Sequence, residues 1–128
     1  MNYQTQTFQH IGAARFYAGS IRIDIKTMQA VISRSDISRL VQRWPVNVYD
    51  ISDVMKTAGQ PEAVGRAWIT RSGRAVMYLI NGTRYLSPLS QVQEVLQGTR
   101  KYANVSVMGE TPGDNHSLSS PAGAEVPA

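Results

Sequence analysis

The chain has no cysteine, and its 128 residues include two histidines, His10 and His116. The first absence excludes disulfides, thiolate zinc sites and cysteine nucleophiles together. The second leaves little material for a paired histidine base or a two-histidine metal site, because His10 falls in the first expected strand and His116 in the terminal stretch. Neither a GxxxxGK nor a GxGxxG string occurs, so both standard phosphate-cradling loops are missing. No apolar run approaches the roughly 18 residues that a membrane span needs, and the polar start MNYQTQTFQH lacks the features of a signal peptide. The expectation is a cytoplasmic chain that does not enter a membrane. Asp50 and Asp53 in YDISDV are explained by strand-end polarity and helix capping more simply than as a catalytic carboxylate pair. These gaps point to a non-catalytic protein without metal or cofactor.

What the chain does hold is enough apolar material, 42% of residues, for one core. Its charge is unevenly laid out. All 13 Lys and Arg lie between Arg15 and Lys101, whereas Glu110, Asp114 and Glu125 lie beyond residue 108. Residues 1–108 therefore set thirteen cations against six acids, a net +7, and ten of the thirteen are Arg, whose planar fork suits phosphate or carboxylate. The last stretch, GETPGDNHSLSSPAGAEVPA, has almost nothing apolar to offset ordering entropy. Residues 109–128 are expected to be a disordered tail behind a single globular α+β domain at 1–108.

Within that domain GSIRIDIKTMQAVIS (19–33) aligns with GRAVMYLINGTRYLS (73–87) at a constant offset of 54, and ISRLVQ aligns with VQEVLQ one residue further on. This patterning predicts an internal repeat, about 5–44 and 46–107, joined through the connector DVMKTAGQPEAVG at 53–65. Each copy reads as alternating segments followed by an amphipathic one. Ile37, Leu40, Val41 and Trp44 form one helix stripe, entered through Ser33 and Asp36 and stopped by Pro45. In the second copy Ser87 is placed to cap, Pro88 to start the helix, Leu89, Val92 and Leu96 to be buried, and Gly98 to stop it.

Turns place the strands. Asn81-Gly82 is the strongest hairpin signal, with Ser72-Gly73 and Ala18-Gly19 behind it. Adding TQTFQHI (5–11) before the first hairpin and VNVYDIS (46–52) before the second predicts antiparallel sheets with two short helices, a pseudo-duplicated ββββα-ββββα unit. Counting outward from the turns assigns Phe16, Ile21, Ile23, Ile25 and Ile32 to one core face, and Trp68, Met77, Leu79 and Leu86 to the other. The opposite faces then carry Arg15, Tyr17, Arg22, Asp24 and Lys26 in the first copy. In the second they carry Arg71, Arg74, Ile69, Val76, Tyr78, Ile80 and Tyr85, with Tyr78 and Tyr85 directly across the hairpin.

Arginines interleaved with tyrosines on a sheet are what single-stranded nucleic acid requires, since cations follow phosphates while rings stack on bases. The expected binding residues are Arg15, Tyr17, Arg22, Arg71, Arg74, Tyr78, Tyr85, Arg100 and Lys101. The rival expectation is a protein-interaction or homodimer surface, favoured by the apolar Ile69, Val76 and Ile80 on that same face. In element order the duplicated unit, over about residues 5–107, resembles the Whirly and PUR-repeat families, which implies single-stranded nucleic acid binding. No residue motif carries a family site over. The stretch WITRSGRAVMYLINGTRYLSPLSQV is similar to three consecutive strands of PH-like barrels, which implies recognition of a protein or lipid headgroup.

Overall fold

The computed structural model describes residues 7–56 and 61–109. Eight strands and three short helices follow in the order β1 (Thr7–Tyr17), β2 (Ser20–Ile25), β3 (Met28–Ile32), α1 (Arg34–Val41), β4 (Val46–Asp50), α2 (Ile51–Lys56), β5 (Gly65–Ile69), β6 (Ala75–Ile80), β7 (Thr83–Pro88), α3 (Leu89–Gln97) and β8 (Ala103–Gly109). Each strand pairs antiparallel with the next, and β8 returns to β1, so the sheet closes into a barrel. Closure leaves no free strand edge among the described residues.

The antiparallel α+β reading holds, but the expected four-strands-then-helix unit does not. Residues 5–11 were expected as a strand separate from the one ending at Tyr17; instead β1 is one 11-residue strand, bent by a register shift between His10 and Gly12. Each of α1 and α3 accordingly follows three strands and precedes a fourth. At that shift Gly12 lets the β2 backbone come close, because a Cβ there would collide with the carbonyl oxygen of Asp24. The connector also holds α2, whose first turn is capped by Asp50: its Oδ1 accepts from Ser52 N at 2.9 Å and Ser52 Oγ at 2.7 Å. The expected tail lies outside the described residues apart from Gly109, which ends β8.

An eight-stranded barrel is just wide enough for side chains to fill it. Here Ile21, Ile23, Ile32, Val46, Val48, Val76, Tyr78, Ile80 and Val105 fill it together with small residues at Ala14, Ala30, Ala67 and Ala103. The first copy's expected core face is correct for Ile21, Ile23 and Ile32. The second copy's is inverted. Tyr78, expected on the outer surface, is 1% exposed inside the barrel beside Ala67, and Val76 and Ile80 point in with it. Tyr85 sits opposite Tyr78 in the expected register and is half-buried against the same core. Trp68 and Met77 are buried as well, as a cross-strand pair outside that cluster. AVMYLI at 75–80 is apolar at every position, so alternation carries no contrast from which to tell in from out.

The two helices close one end of the barrel. Leu40 of α1 and Val92 and Val95 of α3 are buried in the core cluster, with Ile37, Leu89 and Leu96 packed against it. The α1 stripe stops early: Val41, the last residue of the helix, is exposed, and so is Trp44 beyond it. At the entry Ser33 Oγ donates to Asp36 Oδ2 at 3.1 Å, but makes no side-chain cap bond to backbone N–H. Ser87 is no cap either. It belongs to β7 and points inward, where Tyr78 Oη donates to its Oγ at 3.1 Å, and Pro88 takes the cap position.

Candidate nucleic-acid interface

The hairpin and crossover connections sort by barrel end. Turn 18–19, the α1 segment 33–45, the β5–β6 connection 70–74 and the α3 segment 89–102 share the helix-capped end; turns 26–27 and 81–82 and segment 51–64 share the other. The helix-capped connections carry Arg34, Arg39, Arg43, Arg71, Arg74, Arg100 and Lys101 against Asp36 and Glu94. Those at the opposite end carry Lys26 and Lys56 against Asp53 and Glu62. Seven of the thirteen cations therefore gather at one end, where they outnumber acids by five. A field of one sign over a defined surface attracts polyanions.

Aromatic side chains gather there too. Among the described residues the exposed aromatics are Phe16 (46%), Tyr17 (57%), Trp44 (58%) and Tyr102 (47%). All four lie at the last residues of β1 or in the connections that follow α1 and α3. All of this exposed aromatic surface is therefore on one end of the barrel, spread round its rim. Phe16 has the inward parity of Ile21, its cross-strand partner, but at the strand's end it emerges between the helices.

Local geometry fixes several of these groups. The Arg22 guanidinium carbon lies 4.3 Å from the centre of the Tyr17 ring, a cation–π contact on the outer wall beside the rim. Arg15 is held by Asp24, Nη2 to Oδ2 at 2.6 Å, and Asp24 also accepts from Gln29 Nε2 at 2.6 Å. Arg100 Nε donates to the Tyr102 carbonyl at 2.7 Å, and its Nη1 stands 3.7 Å from Glu94 Oε1. Arg43 occupies the left-handed region, φ 75°, immediately after the α1 C-cap Gln42, whereas in α3 the C-cap itself, Gly98, is left-handed at φ 86°. A side chain in that conformation costs about 1 kcal/mol relative to glycine. Its guanidinium lies over Gly73 in the β5–β6 connection, 3.2 Å from where a Cβ would stand, so Arg43 is carried to the turn that holds Arg71 and Arg74. The backbone ties this corner to α3 as well, through Leu89 N donating to Arg74 O at 2.8 Å.

Of the nine residues expected to bind, the structure gathers Tyr17, Arg71, Arg74, Arg100 and Lys101 at the helix-capped end, with Arg15 and Arg22 on the adjoining wall. Tyr78 and Tyr85 are not among them, since both are turned into the barrel. Burial pushes the Tyr78 hydroxyl up to about 12, with the Ser87 hydrogen bond working against that rise, so it stays a neutral donor at ordinary pH. Sequence reasoning missed Phe16, Arg34, Trp44 and Tyr102 as members of the set, and set Arg39 and Arg43, which could touch phosphate, aside as a solvated helix face. RWP and RKY, where rings adjoin cations beside helix ends, were the available signals. No group of three or more His, Asp or Glu side chains comes together among the described residues, and no described helix is long and apolar enough to cross a membrane. Comparison with protein-family models, curated proteins and solved structures finds no match for this chain.

Proposed function

We propose that the helix-capped end of the barrel binds single-stranded nucleic acid. The observation that carries this reading is the coincidence, at one end, of all four exposed aromatics among the described residues with seven of thirteen cations. Bases offer π-faces that rings can stack on whatever the sequence, at about 1–3 kcal/mol each, and the arginines neutralise the phosphates between them. Duplex DNA hides those faces in its stack, so exposed rings favour the single strand. The tyrosine-bearing sheet face is replaced by the barrel's end; the ligand class is retained.

The same reading includes an internal duplication, recast as two βββαβ units, β1–β4 and β5–β8. Gly12 and Gly65 support it. A Cβ at Gly12 would meet Asp24 O and Ile25 Cα, and one at Gly65 would meet Leu79 O and Ile80 Cα, so corresponding strands approach at corresponding points. The left-handed residues after α1 and α3 correspond likewise. Two related units put two helices, and two sets of cations, at one end.

Fluorescence anisotropy of labelled oligothymidylate across a salt series tests the binding. The expected result is affinity that falls linearly in log–log form as salt rises. No binding at low salt refutes it, and sedimentation would then examine the alternative, association with a second copy or another protein. For that alternative the structure offers less: Ile69, Val76 and Ile80, once expected outside, pack in or against the core.

A further inference from the structure

Phe16 stands between two shallow depressions on the helix-capped end. One, about 520 Å³, is lined by Phe16, Gly19, Arg34, Ile37 and Ser38; the other, about 470 Å³, by Phe16, Val95, Gly98, Thr99, Arg100 and Lys101. Each has the size of a small-molecule site, roughly 300–1,000 Å³, yet each is open along the surface. The ring is thus a ridge with a cationic wall beyond each hollow: Arg34 on the α1 side, Arg100 and Lys101 on the α3 side. Arg34 lies over Gly19, where the lack of a side chain leaves it room: its Cδ and Nε are 2.9 and 3.3 Å from where a Cβ would stand. Arg100 is steadied by the Tyr102 carbonyl, while Lys101 is exposed.

Three other features carry less. The buried Trp68–Met77 pair already has its outer side covered. The exposed Val54 and Met55 on α2 adjoin Asp53, and that helix carries no aromatic side chain beside them. The hollow at Gly73, Arg74, Leu89, Ser90 and Gln93 holds one cation and no ring.

We infer that Phe16 is a wedge inserted between two successive bases of a single strand that crosses the barrel end from α1 to α3. One base occupies each hollow. Arg34 holds the phosphate on one side of the step, and Lys101 with the outer edge of Arg100 holds the phosphate on the other. A ring between two bases stacks on both, so a single residue interacts with a dinucleotide step and interrupts base-to-base stacking there. Such a wedge selects flexible, unpaired strands; Tyr17, next to Phe16 in the chain, and Trp44, farther round the same rim just ahead of β4, are left for bases beyond the step.

This inference rests on the nucleic-acid reading and is tested with the full chain and an oligothymidylate containing one 2-aminopurine. Phe16→Leu keeps apolar cover on the rim without a ring, and Phe16→Trp keeps a ring. The expected result is a loss of affinity of about tenfold or more for Phe16→Leu, near-native affinity for Phe16→Trp, and a change of 2-aminopurine emission on binding that Phe16→Leu abolishes. Lys101→Ala and Arg34→Ala should each lower the salt slope by about one phosphate contact. Wild-type binding that Phe16→Leu leaves intact overturns the wedge alone. Absence of any wild-type binding at low salt overturns the parent reading and the wedge with it.

Discussion

Tyr78 and Tyr85 face each other across the β6–β7 hairpin inside the barrel, whereas Phe16, Tyr17, Trp44 and Tyr102 stand at the helix-capped end in contact with water. Both groups are aromatic, and in the sequence both neighbour arginines. What separates them is position along a strand. Mid-strand, a ring goes wherever the pleat sends it, and Tyr78 is sent to a site where Ala67 leaves room for the ring and Ser87 accepts its hydroxyl proton. At a strand's end or after a helix no such constraint operates, and the ring can remain outside. The inner rings therefore belong to stability, and the outer ones are those that the proposed binding assigns to the ligand.

Exchanging roles would break that contrast, and truncation is the largest test. Tyr78→Ala is expected to cost about 3–5 kcal/mol of unfolding free energy, by loss of buried ring and creation of a cavity. Trp44→Ala at the rim is expected to change stability by no more than about 0.5 kcal/mol while weakening oligonucleotide binding several-fold. Urea unfolding and anisotropy on the same two variants check both halves.

Alkaline pH probes the inner site next. The folded Tyr78 value, about 12, lies above the unfolded 10.0, so the neutral form is the one that the fold favours. Its contribution is complete below pH 10 and is lost as pH rises from there through about 12, by on the order of 2–3 kcal/mol. Urea unfolding followed through that window should show the fall, and Tyr78→Phe should flatten it. A curve that is already flat in the wild type would mean that this hydroxyl is not buried.

Arg43→Gly sharpens the comparison because its two effects have opposite signs. Glycine relieves the left-handed conformation after α1, as Gly98 does after α3, so stability should rise by about 1 kcal/mol. Removing the cation should weaken binding and reduce the salt slope by about one phosphate contact. The smallest effect belongs to Lys26, in the turn at the far end. Lys26→Ala should leave oligonucleotide affinity unchanged, and an effect as large as that of Arg43→Gly would erase the distinction between the ends.

Much of this fold is legible in the residues. Ala18-Gly19 and Asn81-Gly82 adopt the positive φ pairs their hairpins need, Tyr78 faces Tyr85 in the register those turns dictate, and Gly98 ends α3. The inward face of β2 is legible because RIDIK alternates. That of β6 is not, because AVMYLI does not alternate, and Tyr78 and Tyr85 are thereby expected on the wrong side. Closure into a barrel depends on β8 pairing with β1 across the length of the chain, which no local pattern encodes. The candidate interface suffered from the same limit: Phe16, Trp44 and Tyr102 lie far apart in sequence and share one end only once the chain closes into the barrel.

The most direct test of the central claim is an amide NMR titration of the full chain with short oligothymidylate at low salt. Shifts confined to the helix-capped end, at Phe16, Tyr17, Arg34, Arg43, Arg74 and residues 98–102, with turns 26–27 and 81–82 silent, are the result this account expects. Shifts centred on the far end, or none anywhere, would contradict it.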